Sequence, residues 1–211
     1  FTLAGDFVDY PVDVNDLSSD EWKVLADTLK SYVDRDGLQP LDQGKTDADG
    51  ILRFPCQQSE MKPGLYLAIG RTYTNGGYVY TTEPFMIALP NLDKETDSWL
   101  YSVNATPKYT RDDVPPTPDD QTVSRKVLKV WKDSNSQAQR PKEIVVQLLK
   151  NGAVYDSVTL NADNDWRHTW NDLPKFEENR LIDWQVAEKE VKNYSVKVTQ
   201  EGTKFLVTNT Y

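Results

Sequence analysis

Three polar residues fall where strand patterning calls for apolar ones. In "RKVLKVWKD", residues 125–133, Val127, Lys129 and Trp131 share one face of a strand and Leu128 and Val130 the other. The Lys129 ammonium therefore has apolar neighbours whichever face is buried, and an unpaired buried charge costs several kcal/mol. Two other strands supply partners: Trp184, Val186 and Glu188 share a face in "LIDWQVAEKE", and Phe205, Val207, Asn209 and Tyr211 share one in "FLVTNTY". Desolvation lowers the pKa of a lysine and raises that of a glutamate, so both drift toward neutral forms, and a neutral amine is a nucleophile. A protonated Glu188 can hydrogen-bond the side-chain carbonyl of Asn209, make its carbon electrophilic and relay protons as ammonia leaves. The product is an isopeptide bond joining Lys129 to Asn209, with Glu188 as catalyst. It forms once per chain, so the protein is not expected to be an enzyme in the ordinary sense. The competing reading has Lys129 snorkelling from an edge strand and Glu188 in a surface ion pair worth under about 1 kcal/mol. One such residue would favour it; three on first, late and last strands do not.

The elements that must position these residues read as strand upon strand. After residue 124 the runs "KVLKVWKD", "EIVVQLLKNG", "VYDSVTLN", "WRHTWNDLP", "LIDWQVAEKEV", "NYSVKVTQEG" and "TKFLVTNTY" are punctuated by Asn151-Gly152 and Glu201-Gly202, at the spacing of a small sandwich. The first half predicts strands in "GILRFP", "GLYLAIG", "GYVYTTEPFMIAL" and "SWLYSVNA". It also predicts one helix, "SSDEWKVLADTLKSYV", where Ser18 and Glu21 form a capping box and Trp22, Leu25, Ala26, Leu29 and Val33 recur at helical spacing. Between the halves, "TRDDVPPTPDDQTVS" reads as a stiff linker. The expected organisation is a mainly β chain of two tandem immunoglobulin-like sandwiches: residues 1–113 with a helical insertion, a Pro/Asp linker over 114–123, and residues 124–211.

Composition narrows the partners. The chain has 211 residues, enough for a core in each half, and its net charge of −9 resides entirely in the first half: residues 1–113 hold 10 Lys+Arg against 19 Asp+Glu, while 114–211 hold 14 of each. Such a surface repels phosphate backbones and anionic lipid, so neither nucleic acid nor membrane insertion is expected. Cys56 is the single cysteine, so covalent bracing, if present, is not a disulfide. The chain opens "FTLAGDF" without a methionine, as a processed or excised piece does.

Residues 125–211 resemble the B-type repeat of the collagen adhesins of Gram-positive surface proteins. The resemblance lies in "VLKVWKD", "RPKEIVVQLLKNG", "VTLNADNDWRHTWNDLPKF", "WQVAEKEVKNYSV" and the closing "VTNTY", with Trp184 where tyrosine is commoner. It implies the same three roles: Lys129 as amine donor, Asn209 as acceptor and Glu188 as catalyst. The first half resembles the N-terminal module of sortase-assembled pilins through "TDADGILRF" and "GLYLAIG". Ile69 and Gly70 stand where that family has a glutamate, so a crosslink of its own is not expected there, and the family's opening strand would precede Phe1. In "SWLYSVNATPKYT" the residues Trp99, Val103, Pro107 and Lys108 fall in register with the pilin motif, with Ala105 and Thr106 as departures. The resemblance implies Lys108 as the nucleophile for a pilin sortase.

The leading expectation is thus a structural pilin subunit, extracellular and anchored to the cell wall in a fibre, whose partners are a pilin sortase and neighbouring subunits. The alternative is an adhesin module that binds a host protein or glycan. No cofactor is expected. "DADG" and "DRDG" lack the remaining acidic ligands of a calcium loop, "QGKT" lacks the upstream glycine of a phosphate loop, and His168 is the only histidine, so metal, nucleotide and triad chemistry find no complete set. The tryptophans and tyrosines are assigned to core rather than to a sugar-binding face.

Overall fold

The structure, a computed structural model, describes residues 2–57, 60–93, 95–114, 121–134 and 136–211. Phe1 and most of the expected linker, residues 115–120, lie outside the described residues.

The second half is a two-sheet sandwich. Its strands are β8 (Thr122–Lys132), β9 (Glu143–Lys150), β10 (Ala153–Asn161), β11 (Arg167–Pro174), β12 (Phe176–Glu177), β13 (Arg180–Leu181), β14 (Trp184–Glu188), β15 (Ser195–Glu201) and β16 (Lys204–Thr210). One sheet has the order β11-β8-β16-β15 and the other β10-β9-β14, with β12 and β13 pairing as a small ribbon. All pairings are antiparallel except that of β8 with β16, which run parallel side by side. Inward-facing Val127, Phe205 and Val207 of the first sheet and Ile144, Val146, Leu148 and Val186 of the second form the core. The β9–β10 turn places Asn151 and Gly152 at φ 51° and 86°, the left-handed pair that a two-residue hairpin needs to match strand twist.

In the first half, α1 (Ser19–Asp36) begins at the predicted capping box. The Ser18 hydroxyl accepts from the Glu21 N–H and the Glu21 carboxylate accepts from the Ser18 N–H. It ends at Gly37 in the left-handed region, with the Leu38 N–H returning to the Val33 carbonyl. The strands β1 (Gly64–Ala68), β2 (Tyr73–Asn75), β3 (Tyr78–Thr82), β4 (Phe85–Leu89), β5 (Asn91–Asp93), β6 (Ser98–Leu100) and β7 (Tyr109–Asp113) are short and form three separate small sheets, β1-β4, β2-β3-β7 and β5-β6. The run "GYVYTTEPFMIAL" divides into β3 and β4 around Glu83-Pro84, since proline has no N–H for a ladder. The strand expected in "GILRFP" does not form. Asp47 takes its backbone into a turn instead: the Asp47 carboxylate accepts from the Asp49 and Ile51 N–H groups, and the Asp47 N–H donates to the Ile51 carbonyl.

The core does not divide at the expected boundary. Tyr10, Val14, Leu25, Leu29 and Tyr32 belong to the same buried cluster as Val186, Val196, Val198 and Val207, whereas no described residue from 38 to 113 is among that cluster's buried members; Leu67 and Met86 pack against it only partly buried. Helix α1 packs along the seam between the edge strands β14 and β15, with β1 and β4 on its other side. Its buried positions include Thr28, Ser31 and Tyr32 beside the predicted apolar ones, because two sides of the helix are covered.

Candidate functional site

Lys129, Glu188 and Asn209 meet inside the sandwich. Lys129 lies on β8, an inner strand of its sheet and not an edge, and its side chain is fully buried. Lys129 pairs with Val207 and Trp131 pairs with Asn209, so Lys129 and Asn209 face inward from neighbouring parallel strands, two residues apart in register. Glu188 reaches them from the other sheet, on β14 opposite Val146. The Lys129 Nζ lies 2.8 Å from Glu188 Oε1, with side-chain exposures of 0 % and 2 %. The distance is that of an ion pair, but the angles are not those of a hydrogen bond: Nζ, Oε1 and both amide atoms of Asn209 lack an aligned hydrogen-bond partner. Buried polar atoms without an aligned partner are uncommon in a native interior, where each costs about 1–3 kcal/mol.

The electrostatics follow from burial. Desolvation brings the Lys129 ammonium down to about 8, against the opposing pull of Glu188. Burial pushes the Glu188 carboxyl up, only partly offset by Lys129 and by the nearby Asn209 amide. The pair can therefore pass one proton internally and present a neutral amine and a neutral acid without exchange with solvent. Attack of Nζ on the Asn209 side-chain carbon would form a C–N bond and break the bond to Nδ2. Glu188 would lend its proton to the carbonyl oxygen and take one back from the attacking nitrogen as the tetrahedral adduct collapses; one amine proton thus ends on Nδ2, which leaves as ammonia, and the other stays on the new amide nitrogen.

An aromatic shell surrounds the lysine. The Nζ sits 4.6 Å from the Trp131 ring centre, and Trp131 meets Trp166 and Tyr194 edge-on at 5.3 and 5.2 Å. Tyr194 in turn meets Tyr211 at 5.3 Å. Behind Trp131, Arg140 grips the buried Asp133 with two hydrogen bonds of 2.6 and 2.5 Å, and Tyr194 donates to the same carboxylate at 3.2 Å. The Arg140 guanidinium holds the Asp133 carboxyl below the usual carboxylate range.

One group near the site escapes sequence reasoning. The Tyr32 hydroxyl, from α1, donates to the Glu188 carbonyl at 3.0 Å in a buried contact. Its signal was available in the helical stripe Leu25, Thr28, Leu29, Tyr32, which a search for purely apolar positions skips. Lys108 is not part of this cluster: it stands in the first half, exposed just before β7, with its carbonyl accepting from the Glu83 N–H at 2.9 Å. His168 packs edge-on against Trp170 at 4.8 Å. The assignment of all aromatics to core fails in the first half, where Tyr73, Trp99, Tyr101 and Tyr109 are more than 60 % exposed. Among the described residues no His, Cys, Asp and Glu group has the arrangement to hold a metal ion, and no helix is long and apolar enough to cross a membrane.

Residues 125–210 match the family profile described as the Cna protein B-type domain, so the second half of the chain carries a domain of that kind. The collagen adhesin of Staphylococcus aureus is 33% identical over 96 residues, which is 45% of this chain and 8% of that protein, so the chain spans under a tenth of the relative's length. Among solved structures, a single B repeat unit of the S. aureus collagen binding surface protein aligns with TM-score 0.40 at 23% identity, covering 64% of this chain and 85% of that one. The full-length major pilin RrgB from Streptococcus pneumoniae aligns with TM-score 0.35 at 19% identity, covering 48% and 18% of the respective chains.

Proposed function

We propose that this chain is a structural subunit of an extracellular fibre on a Gram-positive cell, braced by an isopeptide bond that Lys129 and Asn209 form under catalysis by Glu188. The observation that carries this reading is the buried 2.8 Å approach of Lys129 to Glu188 beside an Asn209 amide with no aligned partner. A buried ion pair retained only for stability would be poorly chosen, since apolar residues of similar volume serve as well or better. As a source of nucleophile and acid it has a use. Intact-mass measurement of the recombinant chain should show the loss of one ammonia, and peptide mapping should place the junction at Lys129 and Asn209. Glu188→Ala should fold but retain the ammonia; an unmodified mass for the natural sequence would sink the proposal.

In the same reading a pilin sortase joins Lys108 to the next subunit, and the surface location follows from that assembly. A second reading, an adhesive module, draws on the tyrosine ladder of the first half: Tyr73 and Tyr80 lie 6.4 Å apart and Tyr80 and Tyr109 5.9 Å, with Tyr73 and Tyr109 exposed. Tight binding to immobilised collagen together with failure to conjugate in a sortase reaction would favour it.

A further inference from the structure

The two sheets of the second half leave their edge strands β14 and β15 next to each other on one side, and residues 10–36 fill that side. Their polar contacts are not scattered. The Tyr32 hydroxyl donates to the carbonyl of Glu188 itself, at 3.0 Å. The Pro11 carbonyl accepts from the N–H of Val196, the residue paired directly with Asn209 on β16. One pair-step along β15, the Thr28 hydroxyl accepts from the Val198 N–H at 3.0 Å while donating to the Val24 carbonyl at 2.8 Å. The free edge of β15 is thereby closed by side chain and loop rather than by another strand.

Packing reinforces these contacts. Tyr32 is 1 % exposed and stacks on Tyr10 at 5.0 Å with 24° between the rings. Leu25 and Leu29 join the cluster that contains Val186, Val196 and Val207, the strand neighbours of the reactive residues. At the helix's far end, Lys30 reaches Asp183 at 2.6 Å and Asp34 accepts from the Gln185 side chain at 3.0 Å, while Glu21 meets Lys197 at 2.6 Å. The helix is thus fixed to β14 near both ends of that strand and to β15 beyond it.

We propose that this segment is the closing wall of the Lys129–Glu188–Asn209 site, with Tyr32 as a positioning residue that holds the Glu188 backbone, so that crosslinking in the second half waits for residues 10–36 to dock. The inference rests on the isopeptide reading and goes beyond it. Without the helix, the β14–β15 seam opens to water beside Glu188. A hydrated Glu188 is ionised and a hydrated Lys129 stays an ammonium, so the neutral pair that reacts is scarce. Tyr32 acts at one remove: its hydroxyl touches the carbonyl and not the reacting carboxyl, so it sets where Glu188 stands and not what it is. The bond then reports a completed fold of the whole chain, and a chain with its first half misplaced remains unbraced. The titratable groups that bear on Glu188 are Lys129 from β8 and Tyr32 from α1.

The test uses the full chain made in a short cell-free pulse, sampled into acidic denaturant and weighed intact, so that ammonia loss is timed from synthesis. Tyr32→Phe removes one hydroxyl and keeps the ring; it should slow the reaction about fivefold, the weight of one net hydrogen bond. Leu29→Asp, which undocks the helix, should leave the mass unmodified while far-ultraviolet circular dichroism still reports the second half's strands. In Tyr32→Phe the rate plateau should also fall and the two limbs of its pH profile move apart, as better hydration separates the two titrations; a purely structural loss would leave the profile's shape unchanged. Tyr32→Phe reacting at the natural rate with the natural profile overturns the inference while leaving the crosslink standing. No ammonia loss in the natural chain overturns both.

Discussion

Lys129 and Asn209 face inward from the first and last strands of the second half, two residues apart across the parallel pairing of β8 with β16. A chain pulled from its two ends loads these two strands against each other, and parallel neighbours in that position resist by shear of their hydrogen bonds. A covalent link between them puts the load on a bond instead. The fold thus brings an amine and an amide together where a crosslink has mechanical value.

The proposed crosslink would close a loop of about 80 residues, and by analogy with disulfides that constraint would be worth roughly 4 kcal/mol. Asn209→Ala prevents the bond and also leaves the Lys129–Glu188 pair facing a small void. Its thermal midpoint should fall by roughly 10 °C, at the 2–4 °C per kcal/mol typical of this chain length. Scanning calorimetry on the two proteins checks this. Equal midpoints would mean that the loop was never closed.

The reaction should have a two-sided pH dependence. The reactive state, neutral amine with neutral acid, has the same number of protons as the ion pair, so the rate is level between the two titrations of the coupled pair. Above about 8, the value to which burial brings Lys129, the pair loses a proton and Glu188 no longer has one to lend. Below the raised Glu188 titration both groups are protonated and the amine is no nucleophile. For stability the sign is different. A buried base with a lowered pKa disfavours the folded, unreacted state at neutral pH, and that penalty fades as pH rises from about 8 toward 10.5. Timed intact-mass measurement from pH 5 to 10 should give a plateau with a fall on each side, and a rate that only climbs with pH would remove Glu188 as the acid.

Gly152 links the hairpin turn to helix docking. It needs φ 86°, and an added Cβ would stand 3.0 Å from the Asp34 Cβ and 3.2 Å from the Asp34 carbonyl oxygen. Gly152→Ala should therefore cost about 1–2 kcal/mol for the left-handed backbone, plus whatever the helix gives up in moving away. Chemical denaturation measures the loss, and slower crosslinking in the same variant would trace part of it to α1. A variant as stable as the natural chain would mean that the helix end is not held there.

Much of the site was legible because strands have a period of two. One misplaced polar residue on each of three faces was enough to select Lys129, Glu188 and Asn209. The helix was equally plain from its Ser18–Glu21 box. What the helix packs on was not, since its decisive contacts, Thr28 to Val198 and Tyr32 to Glu188, join polar side chains to backbone groups more than 150 residues away. Local pattern carries no record of such pairings. Nor does composition reveal that Ile51 would spend its backbone on the Asp47 turn, or that Tyr73 and Tyr109 would face solvent.

Lys108 is the remaining test of the fibre reading. It follows Pro107, just ahead of β7, and its own carbonyl is tied to the Glu83 N–H at 2.9 Å, so the backbone is fixed while the side chain stands in solvent. An acyl-enzyme can be resolved only by an amine that reaches it, which excludes Lys129 in its sealed core and favours an exposed lysine on an anchored backbone. Trp99 on β6, in register with the pilin motif, is 61 % exposed, and Val103 is half-buried. Incubated with a pilin sortase and a sorting-signal peptide, the chain should gain one peptide, and mapping should place it on Lys108. Lys108→Arg keeps the charge and removes the nucleophile, so it should abolish conjugation while leaving the ammonia loss at Lys129 and Asn209 untouched. Conjugation that continues undiminished in this variant would refute the assignment of Lys108 without affecting the internal crosslink.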